Sequence, residues 1–139
     1  MKKIFSFIIT ILIIQMVEAQ DSWTIKLNNK VLLTASKEDT LANTKKIKAL
    51  EWRKTGYLEV SYKEAEPNSI WYHSFLFNDE KDNQLLVKDS VTHTKVSIAS
   101  LRKLFAGKKK IIIYTVQAPK NPMLAIRVRR IYLCTLLLP

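Results

Sequence analysis

The chain has 139 residues, 23 lysines and arginines against 12 aspartates and glutamates, and a formal net charge of +11, with only two glycines and one cysteine. A single cysteine, Cys134, excludes an intramolecular disulfide, and two isolated glycines, Gly56 and Gly107, exclude the glycine-rich loops that cradle nucleotide phosphates. The cation surplus directs attention to anionic partners.

Lys2 and Lys3 precede an apolar run from Ile4 to Ile14, and Val17-Glu18-Ala19 approximates the small-residue pattern of a signal-peptidase site. The expectation is a cleavable signal peptide over residues 1–19, with Gln20 as the new N-terminus. The run is shorter than the roughly 20 apolar residues a membrane span needs, and no cysteine stands near the cleavage point to carry a lipid. The expected product is exported (periplasmic, outer-surface or secreted) without a transmembrane anchor or covalent lipid. Cleavage removes two bases and one acid, leaving a net charge of +10 on residues 20–139, read as a single domain.

Alternation then dominates. Trp23, Ile25 and Leu27 share one face, and Val31, Leu33 and Ala35 share another after Asn28-Asn29-Lys30, which reads as a hairpin. A three-residue loop sets Leu27 opposite Val31, whereas a two-residue loop sets it opposite Lys30; the apolar pattern favours the longer loop. Ser36 to Thr44 is a polar connection, and Lys45 to Trp52 reads as extended with Ile47 and Ala49 inward. Lys54-Thr55-Gly56 breaks the pattern before the strand Tyr57 to Tyr62. A loop centred on Pro67 leads to Ile70–Phe77, apolar on both faces and therefore read as a central strand. Asn78 to Asn83 is a charged turn and Gln84 to Lys88 the returning strand.

One helix is predicted near 98–105, with Ser97 as its cap, Ile98, Leu101, Leu104 and Phe105 on one stripe, and Gly107 closing it. Lys108 to Lys110 lead into the β-branched strand Ile111–Val116, and a loop with Pro119 and Pro122 precedes a last strand from Ala125 to about Leu137. Its inward set changes parity between Val128 and Ile131, which predicts a bulge at Arg129-Arg130. About eight strands with no βαβ alternation predict an all-β fold: a single antiparallel β-sandwich of Ig-like or cupredoxin-like layout.

The final third, KIIIYTVQAPKNPMLAIRVRRIYLCTLLLP, resembles the ending of small exported proteins of Bacteroidota-type Gram-negative bacteria, through the basic strand Arg127-Val128-Arg129-Arg130 followed by Leu133-Cys134-Thr135. The resemblance implies an envelope-associated β domain without catalytic activity. It also makes Asp39-Thr40-Leu41 and Asp89-Ser90-Val91 look like short glycosylation sequons, although ordinary turn chemistry explains both.

Candidate chemistry is sparse. His73, His93, Met123 and Cys134 are the ligand types of a blue-copper centre, but their order departs from the cupredoxin pattern, since both histidines precede Met123 and Cys134 comes last within a strand. A metal site is therefore the alternative and no cofactor is expected. Glu64 and Glu66 precede Pro67 without the context of a carboxylate pair for hydrolysis, and no nucleophile motif surrounds any serine. Trp52 and Tyr57 flank Gly56, where an exposed ring can stack on a sugar, although core or rim packing accounts for both. Three basic clusters remain: Lys45, Lys46 and Lys48; Lys108, Lys109 and Lys110; and Arg127, Arg129 and Arg130. Gathered on one sheet face they would bind an anionic polymer or an envelope protein; scattered, they serve as gatekeepers flanking apolar strands.

Overall fold

The computed structural model describes residues 19–66, 70–124 and 127–139. The predicted signal peptide, up to residue 18, Pro67, and the predicted strand start at Ala125 and Ile126 lie outside the described residues. The elements run β1 (Ser22–Leu27), β2 (Lys30–Ala35), β3 (Thr44–Lys46), α1 (Ala49–Arg53), β4 (Tyr57–Lys63), β5 (Trp71–Asn78), β6 (Gln84–Lys88), β7 (His93–Ser97), α2 (Ile98–Leu104), β8 (Lys110–Pro119) and β9 (Arg129–Leu137). They form two packed sheets, ordered β2-β1-β4-β7 and β3-β9-β8-β5-β6. The fold is an all-β sandwich, as the alternation predicts. The pairing is antiparallel except that β3 lies parallel to β9, a pairing the sequence reading did not anticipate.

Period-two patterning builds the core. Trp23, Ile25 and Leu27 face Phe75, Phe77, Ile111 and Ile113 across the sandwich, and Ile98, Leu101 and Phe105 of α2 and its cap join them. Burial of each large apolar side chain contributes about 1.5–3 kcal/mol, so packing substitutes for the missing disulfide. The hydroxyl of Ser97 caps α2 by accepting from the Ser100 amide at 3.1 Å. β5 lies between β6 and β8, as its two-sided apolarity suggests, yet Tyr72 on its outer face is 48% exposed.

Three local readings change. First, the β1–β2 loop has two residues, because Asn28 and Asn29 both adopt positive φ (51° and 65°), the requirement of a tight hairpin turn. Leu27 therefore pairs with Lys30, and a register shift after Ile25 restores Ile25 opposite Leu33, leaving Val31 exposed. The apolar pattern was satisfied by a bulge rather than by a longer loop.

Second, Ala49 to Arg53 form a short helix, with Ala49 exposed, while Ile47 is buried as expected. Third, the bulge in the last strand falls at Leu133-Cys134, since Ile113 pairs with Cys134 and Tyr114 with Tyr132. Val128 is exposed, so no parity change is needed at Arg129-Arg130. The turn reading of Asp39 holds: its carboxylate accepts from the amides of Leu41 and Ala42 at 3.0 and 2.9 Å.

The β9 bulge leaves Leu133 without a partner in the ladder, and its carbonyl accepts the indole N–H of Trp23, from the facing sheet, at 2.9 Å. Both residues are almost fully buried. Trp23→Phe would strand that carbonyl and should cost about 1–3 kcal/mol, read as a lowered midpoint in urea unfolding.

Gly56 is tied to the hairpin in a different way. Its φ is +151°, and a Cβ there would lie 1.7 Å from Oδ1 of Asn28, which accepts the Tyr57 amide. Gly56→Ala should therefore destabilise the domain by about 1–3 kcal/mol, whereas Gly107→Ala, which meets no atom within 4 Å, should cost less. Thermal melts of the two variants check the order.

Candidate functional site

The connections define two unlike ends. α1 joins the end of β3 to the start of β4 and α2 joins the end of β7 to the start of β8, so both helices and the Asn28-Asn29 turn cap the same end. Here the first two basic clusters converge. Lys46, Leu137 and Lys110 form one row across β3, β9 and β8. Lys48 precedes α1 and Arg53 ends it, while Lys103 lies in the last turn of α2. Among the described residues Lys46, Lys48, Arg53, Lys103, Lys109 and Lys110 form no ion pair. Lys45 is half-buried, sharing strand parity with buried Ile47.

Two basic residues at this end are committed to the fold. Arg102 donates to the carbonyls of Trp52 and Lys54 at 2.5 and 3.2 Å, binding α2 to α1. Lys108 donates to Oδ2 of Asp79 at 2.7 Å. Asp79 is fully buried and also accepts from the backbone amides of Lys81 and Asn83 and the side chain of Asn83. Its hydrogen bonds to Asn83 and Lys108 hold the Asp79 carboxyl well below the usual carboxylate range. Lys108 is thus a structural tie rather than a free cation.

The arginine cluster does not join. Arg129 starts β9 and Leu137 ends it, which separates them by about 25 Å of strand. Arg129 pairs with Glu38 at 3.8 Å, and Arg130 pairs with Asp82 at 3.1 Å while lying 4.2 Å over the Tyr114 ring. Arg127 is exposed at the same end. A single basic face uniting all three clusters is not formed.

The opposite end carries an arrangement that the sequence reading missed. His73 is buried against Tyr62, with ring centroids 5.0 Å apart, and its Nε2 pairs with Glu64. The Tyr62 hydroxyl donates to Asp21 at 2.6 Å, and Asp21 accepts the Ala65 amide at 2.8 Å. Burial and the Asp21 contact raise the Tyr62 hydroxyl above its ordinary range. Only the aromatic character of the His73 strand hinted at this packing; Tyr62 and Glu64 lie just across the β4–β5 connection, whereas Asp21 comes from the approach to β1. The network pins the start of the β4–β5 connection, with Glu64 engaged by the imidazole.

The copper alternative finds no common ligand sphere. His73 is opposite Gln117 and Cys134 opposite Ile113, which puts them about 13 Å apart along β8 alone, on strands either side of it. His93 is on the other sheet, exposed, and bonded through Nδ1 to Ser61 at 2.8 Å. Met123 is 88% exposed, and burial pushes the Cys134 thiol far above its usual range. Among the described residues no three His, Cys, Asp or Glu side chains are arranged so that they could hold a metal ion.

Trp52 packs against the core, so stacking on a sugar is left to Tyr57, which lines a cleft of about 640 Å³ with Asn28, Lys30, Glu51 and Lys54. Asn28 donates to Glu51 at 3.3 Å, and this bond with Lys54 draws the Glu51 carboxyl below its ordinary range.

The depressed Asp79 carboxyl gives a signed pH dependence. A folded-state value below the unfolded one, about 3.9, stabilises the domain above that pH and is lost as pH falls through the folded value. Asp79→Asn should therefore be less stable than the parent at pH 7, with the gap narrowing below about pH 4; urea midpoints across pH 3–7 read this. No family model, curated protein or solved structure matches the chain.

Proposed function

We propose that the protein is a non-catalytic, exported, envelope-associated domain that binds an anionic partner through its helix-capped end. The observation that carries this reading is the concentration there of six cations with no carboxylate partner among the described residues: Lys46, Lys48, Arg53, Lys103, Lys109 and Lys110. The arginines of the other end are balanced, Arg129 by Glu38 and Arg130 by Asp82 of the β5–β6 turn. Uncompensated like charges held by rigid elements repel one another in the free protein, and an anionic polymer relieves that repulsion while releasing its own counterions. Glu80, whose carboxylate accepts the Lys109 amide at 3.3 Å, borders the patch, as do Glu51, engaged by Asn28 and Lys54, and Asp82, engaged by Asn78 and Arg130. The resemblance of the last strand to exported envelope proteins supports the location. No helix among the described residues is long and apolar enough to cross a membrane.

The test is retention of the mature domain on heparin against salt. The parent should elute above about 0.15 M, the physiological ionic strength. A Lys46→Glu/Lys103→Glu/Lys110→Glu variant should lose at least tenfold in affinity, and Arg127→Glu/Arg129→Glu less than threefold. Elution of the parent below physiological salt, or equal losses in the two variants, would remove the reading.

A further inference from the structure

The sandwich is open along one side, where β6 ends one sheet and β7 ends the other. Between these two edge strands lies a groove of about 440 Å³ floored by Leu86, Val96 and Leu104 and rimmed by Lys88, Lys95 and Lys103, with no acidic residue in its lining. Leu104 is 40% exposed although it lies on the apolar stripe of α2. The remaining hydrophobic residues of that stripe are buried, so Leu104 serves the groove rather than the core.

The backbone of β7 gives the occupant its class. The Tyr62 amide donates to Thr92 at 2.7 Å and the Ile98 amide to Gly56 at 2.9 Å. In an antiparallel ladder every second residue turns its N–H and C=O to the same neighbour. Thr94 and Val96, opposite Val60 and Leu58, therefore bond to β4, while the N–H and C=O of Lys95 point to the open edge. A strand added there would place one residue opposite Val96, directed inward to the leucines, and the next opposite Lys95, directed outward. Lys95 already lies 3.5 Å from Glu59 on the outer face, a geometry that accepts a carboxylate. The same ammonium repels a basic strand, including a second copy of β7 pairing in register.

We propose that the β6–β7 edge binds an extended peptide in which acidic and aliphatic residues alternate, by strand addition to β7. This surface is separate from the helix-capped cation patch apart from Lys103, which borders both.

The probe is a fluorescein-labelled hexapeptide alternating aspartate and leucine, followed by anisotropy with the mature domain. Binding should weaken at least tenfold with Leu104→Gln, with Lys95→Glu, and when the peptide backbone is N-methylated at alternate residues. Exchange of the Lys95 amide should slow in the complex. Leu104→Gln changes no charge, so its heparin elution should match the parent, which separates failure here from failure of the polyanion reading. The proposal is overturned if the N-methylated peptide binds equally well, if no peptide binds, or if laurate but not the peptide occupies the groove. A dimeric protein with the Lys95 amide already protected would also overturn it, by assigning the edge to a second copy.

Discussion

One buried hydrogen bond across the sandwich, from the Trp23 indole to the Leu133 carbonyl, fixes how the two sheets meet. It exists because the bulge in β9 takes Leu133 out of the ladder and leaves its carbonyl for a partner in the facing sheet. The bulge also places two successive residues, Leu133 and Cys134, in the core. On either side of it the strand keeps its alternation but with inverted parity. Leu136 turns inward against Ile111, and Leu137 turns outward between Lys46 and Lys110. Without the extra residue the last turn of β9 would present the wrong face, and the lysine row at that end would not form.

The cations of this chain do three different jobs. Arg102 and Lys108 are spent holding α2 to α1 and the β5–β6 turn to the approach of β8. Arg129 and Arg130 are answered by Glu38 and Asp82, and Arg130 also covers the Tyr114 ring. Lys54 pairs with Glu51, whereas Lys46, Lys48, Lys103, Lys109 and Lys110 around the helices form no ion pair among the described residues. Net charge alone does not separate these roles. Burial and partner geometry do, because a buried carboxylate such as Asp79 fixes its ammonium partner in place, whereas exposed pairs contribute little to stability.

Much of the architecture was legible because the apolar residues alternate cleanly, as in Trp23-Ile25-Leu27 and Leu58-Val60-Tyr62, and because Ser97 begins a helical stripe. The misreadings share a cause. Alternation reports which face a residue occupies, but it does not say where an extra residue is absorbed. Leu27 could face Val31 through a longer loop or face Lys30 with a bulge further on, and the two asparagines at positive φ decide for the latter. At the other terminus the apolar pattern points to Arg129-Arg130 for the parity change, whereas Leu133-Cys134 carries it. The basic site was half legible. Lysine runs beside strand ends are visible in the sequence, whereas their convergence depends on the parallel β3–β9 pair, for which no local signal exists.

β3 covers only Thr135 to Leu137, so most of β9 would be a bare margin of the larger sheet. The connection after β2 occupies that margin without becoming a strand. Asn43 accepts the Thr135 amide through its carbonyl, and Glu38 takes the Tyr132 amide with its carboxylate at 2.6 Å while holding Arg129. A carboxylate cannot propagate a ladder, so this segment terminates the sheet instead of extending it. A proteolytic nick between Lys37 and Asn43 would lift that stopper and leave the margin of β9 open to pairing with another strand.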